Sequence, residues 1–533
     1  MIYFAFFMMV SLYYVLNGYA VLGTNDDWAL WGMLQYKGIY GTLIMSYPMS
    51  FFISKLYDIF PAFPWYSTLL ATIIGINFYL ISCYIKRVDS YLQAILLLAL
   101  SFLLISYFWF NVTITGLTAL TMVTSIGLIN KDLKLSLVVM FLAFLLRSDI
   151  MFIFVPFYIV SYLILRERLK PKKDELITLG AVIVLIAMAL YVQRQDTFYM
   201  EWLTFNKARS AIVDLAILNV DKNYFTPIEK FCYQVGWFQD PQLLSTAKLT
   251  TTLPSLSEVF AHNIQKIDLM NFILHYKFRY WLWLLLGTTA IALLVGLKQK
   301  RVFFIVLLVA GIILLLITRD VERVTIPIII LWSYILFEIL KQHKVVSTLF
   351  LALFLYFFYL YFIPQWTKID DTRIEAFKHL QKEANGLIKK SKKVCDISIN
   401  FPTNPINELN IVFMANYLFE EDKWIKIDKG GVLPTGWLVR NRFFYETHDL
   451  SDTHTERKYK TYHDFLVDDD TAFFGSKSLT RSGSFKFLLK TYDKRYLKDR
   501  PNCKHKTKLI ATSKHFGISQ VQVVCKKKRI IEK

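Results

Sequence analysis

Long apolar runs separated by short charged breaks fill the first two-thirds of the chain. A helix of about 20 apolar residues matches the hydrocarbon thickness of a bilayer. The runs predict spans over 3–22, 67–85, 91–110, 113–130, 135–147, 150–166, 176–192, 279–297, 302–318, 325–341 and 345–363, about eleven in all. The run 135–147 is short, and the pair around Arg147 reads either as two spans or as one broken helix. The apolar and aromatic stretch 41–60 holds Pro48 and is followed by Pro61. It predicts a short helix along the membrane surface; the alternative is a further partial span.

The pattern changes near Pro364. Residues 372–393 carry apolar positions at helical spacing and a lysine-rich end that suits a helix C-terminus. Strand-like runs follow at Val394–Ile399, Asn410–Met414, Gly436–Val439, Phe485–Leu489, Lys508–Ala511 and Gln520–Val524. The expected fold class is a polytopic α-helical membrane protein with a small soluble α/β or α+β C-terminal domain. Residues 1–363 form the transmembrane domain, with outer loops 23–66 and 193–278, and residues 364–533 form the soluble domain.

Composition agrees with this division. Of 533 residues 55% are hydrophobic and 19% charged, against about 25% charged in soluble proteins. The net charge of +20 falls largely in alternate short loops. These hold Lys86 and Arg87, Lys131 and Lys134, Arg166 to Lys173, Lys298 to Arg301, and Lys341 with Lys344. If the spans alternate, all five loops share one side, which the positive-inside rule makes cytoplasmic. The N-terminus is then cytoplasmic and the C-terminal domain extracytoplasmic, in a bacterial cytoplasmic membrane by residue usage. Such a distribution argues against a nucleic-acid partner and for membrane lipids. The opening MIYFAFFMMVSLYYVLNGYA lacks a basic start and a small-residue cleavage site, so it predicts a retained span. No CxxC pair points to zinc. Cys503 and Cys525 flank two strand-like runs; they either close a hairpin as a disulfide in an oxidising space or stand as two free thiols.

Charge beside hydrocarbon is costly and needs a reason. On the outer side such groups recur in three places: Asp26 and Asp27, then Arg147 and Asp149, then the island Arg319, Asp320, Glu322 and Arg323. Their plain readings are a solvated turn, a mutually satisfying pair, and a loop whose arginines reach headgroups. Together they place carboxylates and guanidinium groups at one level. Sugar transfer from a polyprenyl phosphate or diphosphate uses that mixture. A carboxylate takes the acceptor proton, and arginines hold the charge on the departing phosphate. The long outer loop adds Arg194, Lys207 and Arg209, the acids Asp196, Glu201 and Asp214, and Trp202, Phe205 and Trp237 as rings for stacking on sugars. Its plain reading is a cap whose aromatics rest on headgroups.

The sequence resembles the membrane glycosyltransferases of the GT-C superfamily. The resemblance is carried by the first outer loop, Gly23-Thr24-Asn25-Asp26-Asp27-Trp28, by the interfacial helix after it, by Phe63-Pro64-Trp65-Tyr66, and by the topology. The segment Phe205-Asn206-Lys207-Ala208-Arg209-Ser210 is similar to a pattern in bacterial membrane proteins of this type. The resemblance implies that Asp26 or Asp27 is the catalytic base. Arg147, Asp149, Arg209, Arg319, Asp320, Glu322 and Arg323 then serve as substrate-binding candidates. It leaves open whether Asp26 and Asp27 hold a divalent metal such as Mg or Mn. The implied partners are a lipid-linked sugar donor and a glycan, lipid or protein acceptor of the cell envelope.

Two other classes share many of these features. A polymerase of lipid-linked polysaccharide repeat units, as in O-antigen assembly, also needs many spans and outer arginines. A lipid-linked glycan transporter would show internal symmetry and broken helices at mid-membrane, and the sequence has no such repeat. The early Asp26-Asp27 pair and the soluble domain favour the transferase.

Overall fold

The computed structural model describes, with short interruptions, residues 41–213, 279–295, 322–366, 394–397, 432–434 and 462–526, together with a few single positions. The helices are α1 (Tyr47–Ile59), α2 (Trp65–Ile85), α3 (Tyr91–Phe110), α4 (Ile114–Leu128), α5 (Leu133–Leu146), α6 (Ser148–Leu165) and α7 (Lys173–Gln195). Then come α8 (Thr197–Val213), α9 (Arg279–Val295), α10 (Glu322–Leu340), α11 (Lys344–Trp366), α12 (Tyr462–Val467) and α13 (Gly483–Tyr496). Among the described residues four helices are long and apolar enough to cross a membrane, over Thr68–Ile85, Tyr91–Phe108, Ser148–Leu165 and Lys173–Gln195. Shorter apolar helices cover Ile114–Leu128, Leu133–Leu146, Leu282–Leu294, Thr325–Leu340 and Lys344–Leu360. The chain is a helical membrane protein. The expected spans 3–22 and 302–318 lie outside the described residues.

Helix α4 is the centre of the bundle. Every residue from Ile114 to Ile126 is buried, and α2, α5, α6 and α10 pack around it. Its composition suits that place, because small and threonine residues let neighbouring helices approach. Thr118, Thr121 and Thr124 each return their hydroxyl proton to the carbonyl four residues back, and Thr121 Oγ1 also accepts from Asn77 Nδ2 of α2 at 3.0 Å. Helix α7 is the opposite case: its outer residues Ile183, Val184 and Met188 are exposed, as lipid-facing positions are.

Side-chain contacts fix which helix ends lie together. Lys134, at the start of α5, pairs with Asp174 at the start of α7. Arg166, at the end of α6, meets Glu175 of α7 at 2.7 Å. Tyr84, near the end of α2, donates to Glu338 near the end of α10. Tyr334 of α10 donates to the carbonyl of Gly127 at 3.0 Å, and Gln93 of α3 reaches Ser347 of α11 at 2.7 Å. The loops holding Lys131 and Lys134, Arg166 to Lys173, and Lys341 with Lys344 therefore gather at one end of the bundle. This is the grouping that their charge predicts.

The pair of runs around Arg147 is a hairpin of two helices. Arg147 is extended, with φ −156° and ψ 102°, and it caps both helices. Its N–H donates to Ala143 of α5 at 3.0 Å, and its carbonyl accepts from Met151 of α6 at 3.1 Å. Helix α1 has Pro48 in its first turn, where a missing N–H costs nothing. It is the short helix expected within 41–60. Tyr57 of α1 accepts from the Tyr66 amide at 3.1 Å and so ties α1 to the start of α2.

The C-terminal region holds a five-stranded sheet in the order β2-β1-β3-β5-β4. Its strands are β1 (Val394–Ile397), β2 (Val432–Pro434), β3 (Thr471–Ser476), β4 (Cys503–Thr512) and β5 (Phe516–Cys525). The first three are parallel, and β5 and β4 continue antiparallel, a mixed sheet with helices α12 and α13. Cys503 and Cys525 face each other across β4 and β5 and are joined as a disulfide. One expected strand is a helix. Phe485–Leu489 belongs to α13, where Leu488, Leu489 and Tyr492 form a buried stripe. Alternating Phe485, Phe487 and Leu489 imitates a strand over five residues, whereas the stripe becomes visible over a longer window. The runs Asn410–Met414 and Gly436–Val439, and the helical segment 372–393 but for Glu383, lie outside the described residues.

Candidate functional site

The far end of the bundle, opposite the basic loops, gathers polar side chains around Arg147. The hairpin lifts this residue to its apex. There the guanidinium is pinned on two sides. Nε and Nη2 donate to the two carboxylate oxygens of Asp149 at 2.9 and 3.0 Å, and Nη1 donates to Thr115 Oγ1 at 2.6 Å. The two-pronged pairing fixes the plane of the guanidinium. The Arg147 side chain is 18% exposed and that of Asp149 61%, so the carboxylate opens toward the outside and the cation sits behind it. Asp149 also stands in the first turn of α6, where the helix dipole favours an anion.

The segment just before α1 closes over this apex. Ser46 caps α5 from outside: its amide donates to the Leu146 carbonyl at 3.3 Å, and its hydroxyl donates to the Leu145 carbonyl. These carbonyls end a helix and would otherwise lack a partner. Next to Ser46, Tyr47 packs edge-on against Tyr199 of α8, with ring centroids 5.4 Å apart. Asp196 links the two. It accepts from the Tyr199 amide at 2.8 Å and hydrogen-bonds the Tyr47 hydroxyl. Burial, with the Asp196 carboxylate beside it, pushes the Tyr47 phenol up to about 12. Burial also raises Tyr199, with Asp149 and Asp196 adding to the effect. Both phenols stay protonated and can donate. Gly41 leaves no room here, since a Cβ would lie 2.7 Å from Tyr199 and 2.9 Å from Tyr47.

Helix α10 crosses α4 where Tyr334 donates to the Gly127 carbonyl, and its end at Glu338 meets Tyr84. The helix start that carries Glu322 and Arg323 is therefore the end of α10 away from the basic loops, beyond Pro327.

Other candidates fall differently. Asp26, Asp27, Arg319, Asp320, Asp214 and Trp237 lie outside the described residues. For Glu322, Arg323, Lys207 and Arg209 only the helical backbone is described. Trp202 and Phe205 are corrected: they are 3% and 1% exposed, so they fill the core of the bundle and present no open ring to a sugar. Both lie on one buried stripe of α8 with Tyr199, which is what an amphipathic helix does with its aromatics. Thr115, Ser46, Tyr47 and Tyr199 escape sequence reasoning, because hydroxyl residues at the edge of apolar runs give no signal of their own. Among the described residues no group of three metal-ligating side chains forms.

A cavity of about 120 Å³ lies among α2, α3, α4, α10 and α11. Tyr84, Leu104, Val123, Tyr334, Phe337 and Phe354 line it. It opens in the half of the bundle near the basic loops and does not reach Arg147. Comparison with protein-family models, with curated proteins and with solved structures finds no match to this chain.

Proposed function

We propose that this protein is a GT-C-type glycosyltransferase. It moves a sugar from a polyprenyl-phosphate or diphosphate donor to a cell-envelope glycan, lipid or protein acceptor. The observation that carries the reading is the placement of Arg147. A guanidinium oriented by Asp149 and Thr115 stands at the bundle end away from the basic loops.

In this reading an acceptor oxygen forms a bond to the anomeric carbon while the bond from that carbon to the donor phosphate oxygen breaks. The acceptor proton passes to Asp26 or Asp27 as general base. The electron pair leaves with the phosphate, whose charge is held by Arg147, Arg319 and Arg323. Tyr47 donates its hydroxyl proton to a hydrogen bond with Asp196 and Tyr199 is 5% exposed, so the two phenols brace the site from behind and do not meet the sugar. Asp26 and Asp27 would also be the residues to hold a divalent metal, which would supply positive charge for the departing phosphate.

The site faces away from the cytoplasm in a bacterial cytoplasmic membrane, with about eleven spans and an extracytoplasmic C-terminal domain. The common end shared by the basic loops supports this orientation, and the Cys503–Cys525 disulfide supports an oxidising surrounding for that domain. The test is to make Asp26→Asn and Asp27→Asn separately and examine the surface glycan. At least one should abolish the modification at normal protein level and membrane insertion. Unaltered glycan in both would end the assignment of the base.

A further inference from the structure

Helix α13 turns a row of like charges outward, with an aromatic ring among them. Leu488, Leu489 and Tyr492 are buried against the sheet. On the other side Lys486, Lys490 and Lys494 stand one turn apart and are exposed. At 3.6 residues per turn, Phe487 lies beside Lys490 and Lys494, and it is 39% exposed. Lysines at this spacing repel one another. Lys486 sits in the first turn, where the helix dipole disfavours a cation. The one acid of the helix, Asp493, turns toward the sheet, where its Oδ1 takes the His505 amide at 2.6 Å and the His505 ring at 2.8 Å. The row thus costs the helix stability, and Phe487 adds an apolar ring where solubility alone would favour a polar residue.

Cations around an exposed aromatic form the face of a helix that settles into an anionic lipid surface. The ammonium groups meet phosphates and the ring enters the interface. We propose that Lys486, Lys490, Lys494 and Phe487 dock the C-terminal domain onto anionic phospholipid headgroups of the membrane that the rest of the chain spans. The domain is tethered, since the apolar helix α11 ends at Trp366 and the sheet starts at Val394. Tethering holds the face at high local concentration near the lipid, so three lysines suffice. A soluble polyanion would meet the lysines alone, whereas a bilayer also takes up the exposed part of Phe487.

The sheet supplies a control. Lys504, Lys506 and Lys508 of β4 are also exposed. His505 faces α13, so alternation turns its lysine neighbours to the other face. As β4 is an edge strand, they are explained by the protection that lysines give an edge against pairing. The proposal stands apart from glycosyl transfer and is read without it.

The full chain is placed in lipid nanodiscs, with Cys83, Cys232 and Cys395 replaced by serine and an environment-sensitive fluorophore on Phe487→Cys. Discs of phosphatidylcholine alone are compared with discs holding about one-third phosphatidylglycerol. The expected result is a blue-shifted emission and a several-fold loss of iodide quenching only in the anionic discs, reversed by high salt. Lys486→Glu, Lys490→Glu and Lys494→Glu together should abolish it, while Lys504→Glu, Lys506→Glu and Lys508→Glu together should retain it. In the unlabelled chain, trypsin cleavage at the three α13 lysines should slow several-fold in anionic discs. Equal emission in both discs, or equal loss in both triple variants, would overturn the proposal. So would a blue shift produced in phosphatidylcholine discs by a soluble anionic polysaccharide, which would assign the face to glycan.

Discussion

Ser136 and Tyr158 are 22 residues apart in the chain, with Arg147 midway between them, and their hydroxyl oxygens meet at 2.7 Å in the buried bundle. Equal distances from the apex mean that α5 and α6 lie antiparallel in register, so the pair acts as the clasp of the hairpin. Ser136 also donates to the Ser125 carbonyl at 2.7 Å and thereby ties the clasp to α4. Tyr158→Phe removes one hydrogen bond and leaves Ser136 its second partner. The loss should be about 0.6–1.7 kcal/mol, the range of interhelical hydrogen bonds in membranes. Reversible unfolding in detergent measures it, and the same variant should leave the glycan unchanged.

Arg147 offers a sharper test of the site. Arg147→Lys keeps a charge but loses the planar fork that engages both oxygens of Asp149 and the Thr115 hydroxyl. Activity should fall about 10-fold for lysine and about 100-fold or more for alanine, as for a lost donor to developing charge. Since Asp149 is 61% exposed, removing its partner strands no buried anion, and folding should be nearly intact. Transfer assays on purified variants at matched protein level check both. A lysine variant as inactive as alanine with normal donor binding would point to a structural role for the fork.

Gly41 predicts a defect that arises from packing alone. Alanine there must move the rings of Tyr199 and Tyr47, which approach the Cβ position to 2.7 and 2.9 Å. Forcing that shift should cost about 1–3 kcal/mol and loosen the link through Asp196. The expected outcome for Gly41→Ala is reduced transfer with a lowered melting temperature. Tyr199→Phe, which keeps the packing and removes the hydroxyl, should leave the melting temperature within a few degrees.

Much of the bundle was readable because lipid-facing helices declare themselves. The runs 67–85 and 91–110 correspond to α2 and α3 within two residues. Helix α4 was found as a span but not as the centre, since its threonines and glycines look like a weak apolar run until their neighbours are known. Helix α5 is shorter than a bilayer is thick because Asp132 caps its start, accepting from Leu135 at 3.1 Å, and the hairpin ends it at Arg147. The pairing of Arg147 with Asp149 could be read from adjacency. Its third contact, Thr115, comes from a residue 32 positions away and carries no sequence mark. The same holds for His463, His505 and Asp493, which chain separation hides from any local pattern.

The disulfide gives a prediction that also reports on topology. Cys503 and Cys525 close a loop of 22 residues, so the chain-entropy account gives about 3 kcal/mol of stabilisation. Replacing both by serine should lower the stability of the C-terminal domain by about that amount and leave the helical bundle untouched. In intact cells a thiol reagent that does not cross the membrane should label these cysteines only after reduction. Labelling without reduction would mean that the bridge does not form in the cell, and would remove one support for an extracytoplasmic domain.

His463 Nε2 lies 2.9 Å from His505 Nε2, both rings are buried, and His505 Nδ1 lies 2.8 Å from Asp493. One hydrogen bond joins the two Nε2 atoms, so one ring donates and the other accepts with its lone pair. Burial, and then the neighbouring His505, lower His463 from 6.5 to about 4, with Asp464 opposing from 3.9 Å. A histidine depressed in the folded state binds its proton more readily when unfolded. Stability therefore rises with pH between about 4 and 6.5 and is lost as pH falls through that window. The loss should be about 1–2 kcal/mol, less than the full shift implies because part of the ring edge is still screened by solvent. Thermal unfolding of the full chain checks it, following the transition that disulfide reduction lowers. His463→Phe, which keeps the stack on Tyr496 at 3.8 Å, should flatten the slope below pH 6.5. An unchanged slope in that variant would place the titrating group elsewhere in the domain.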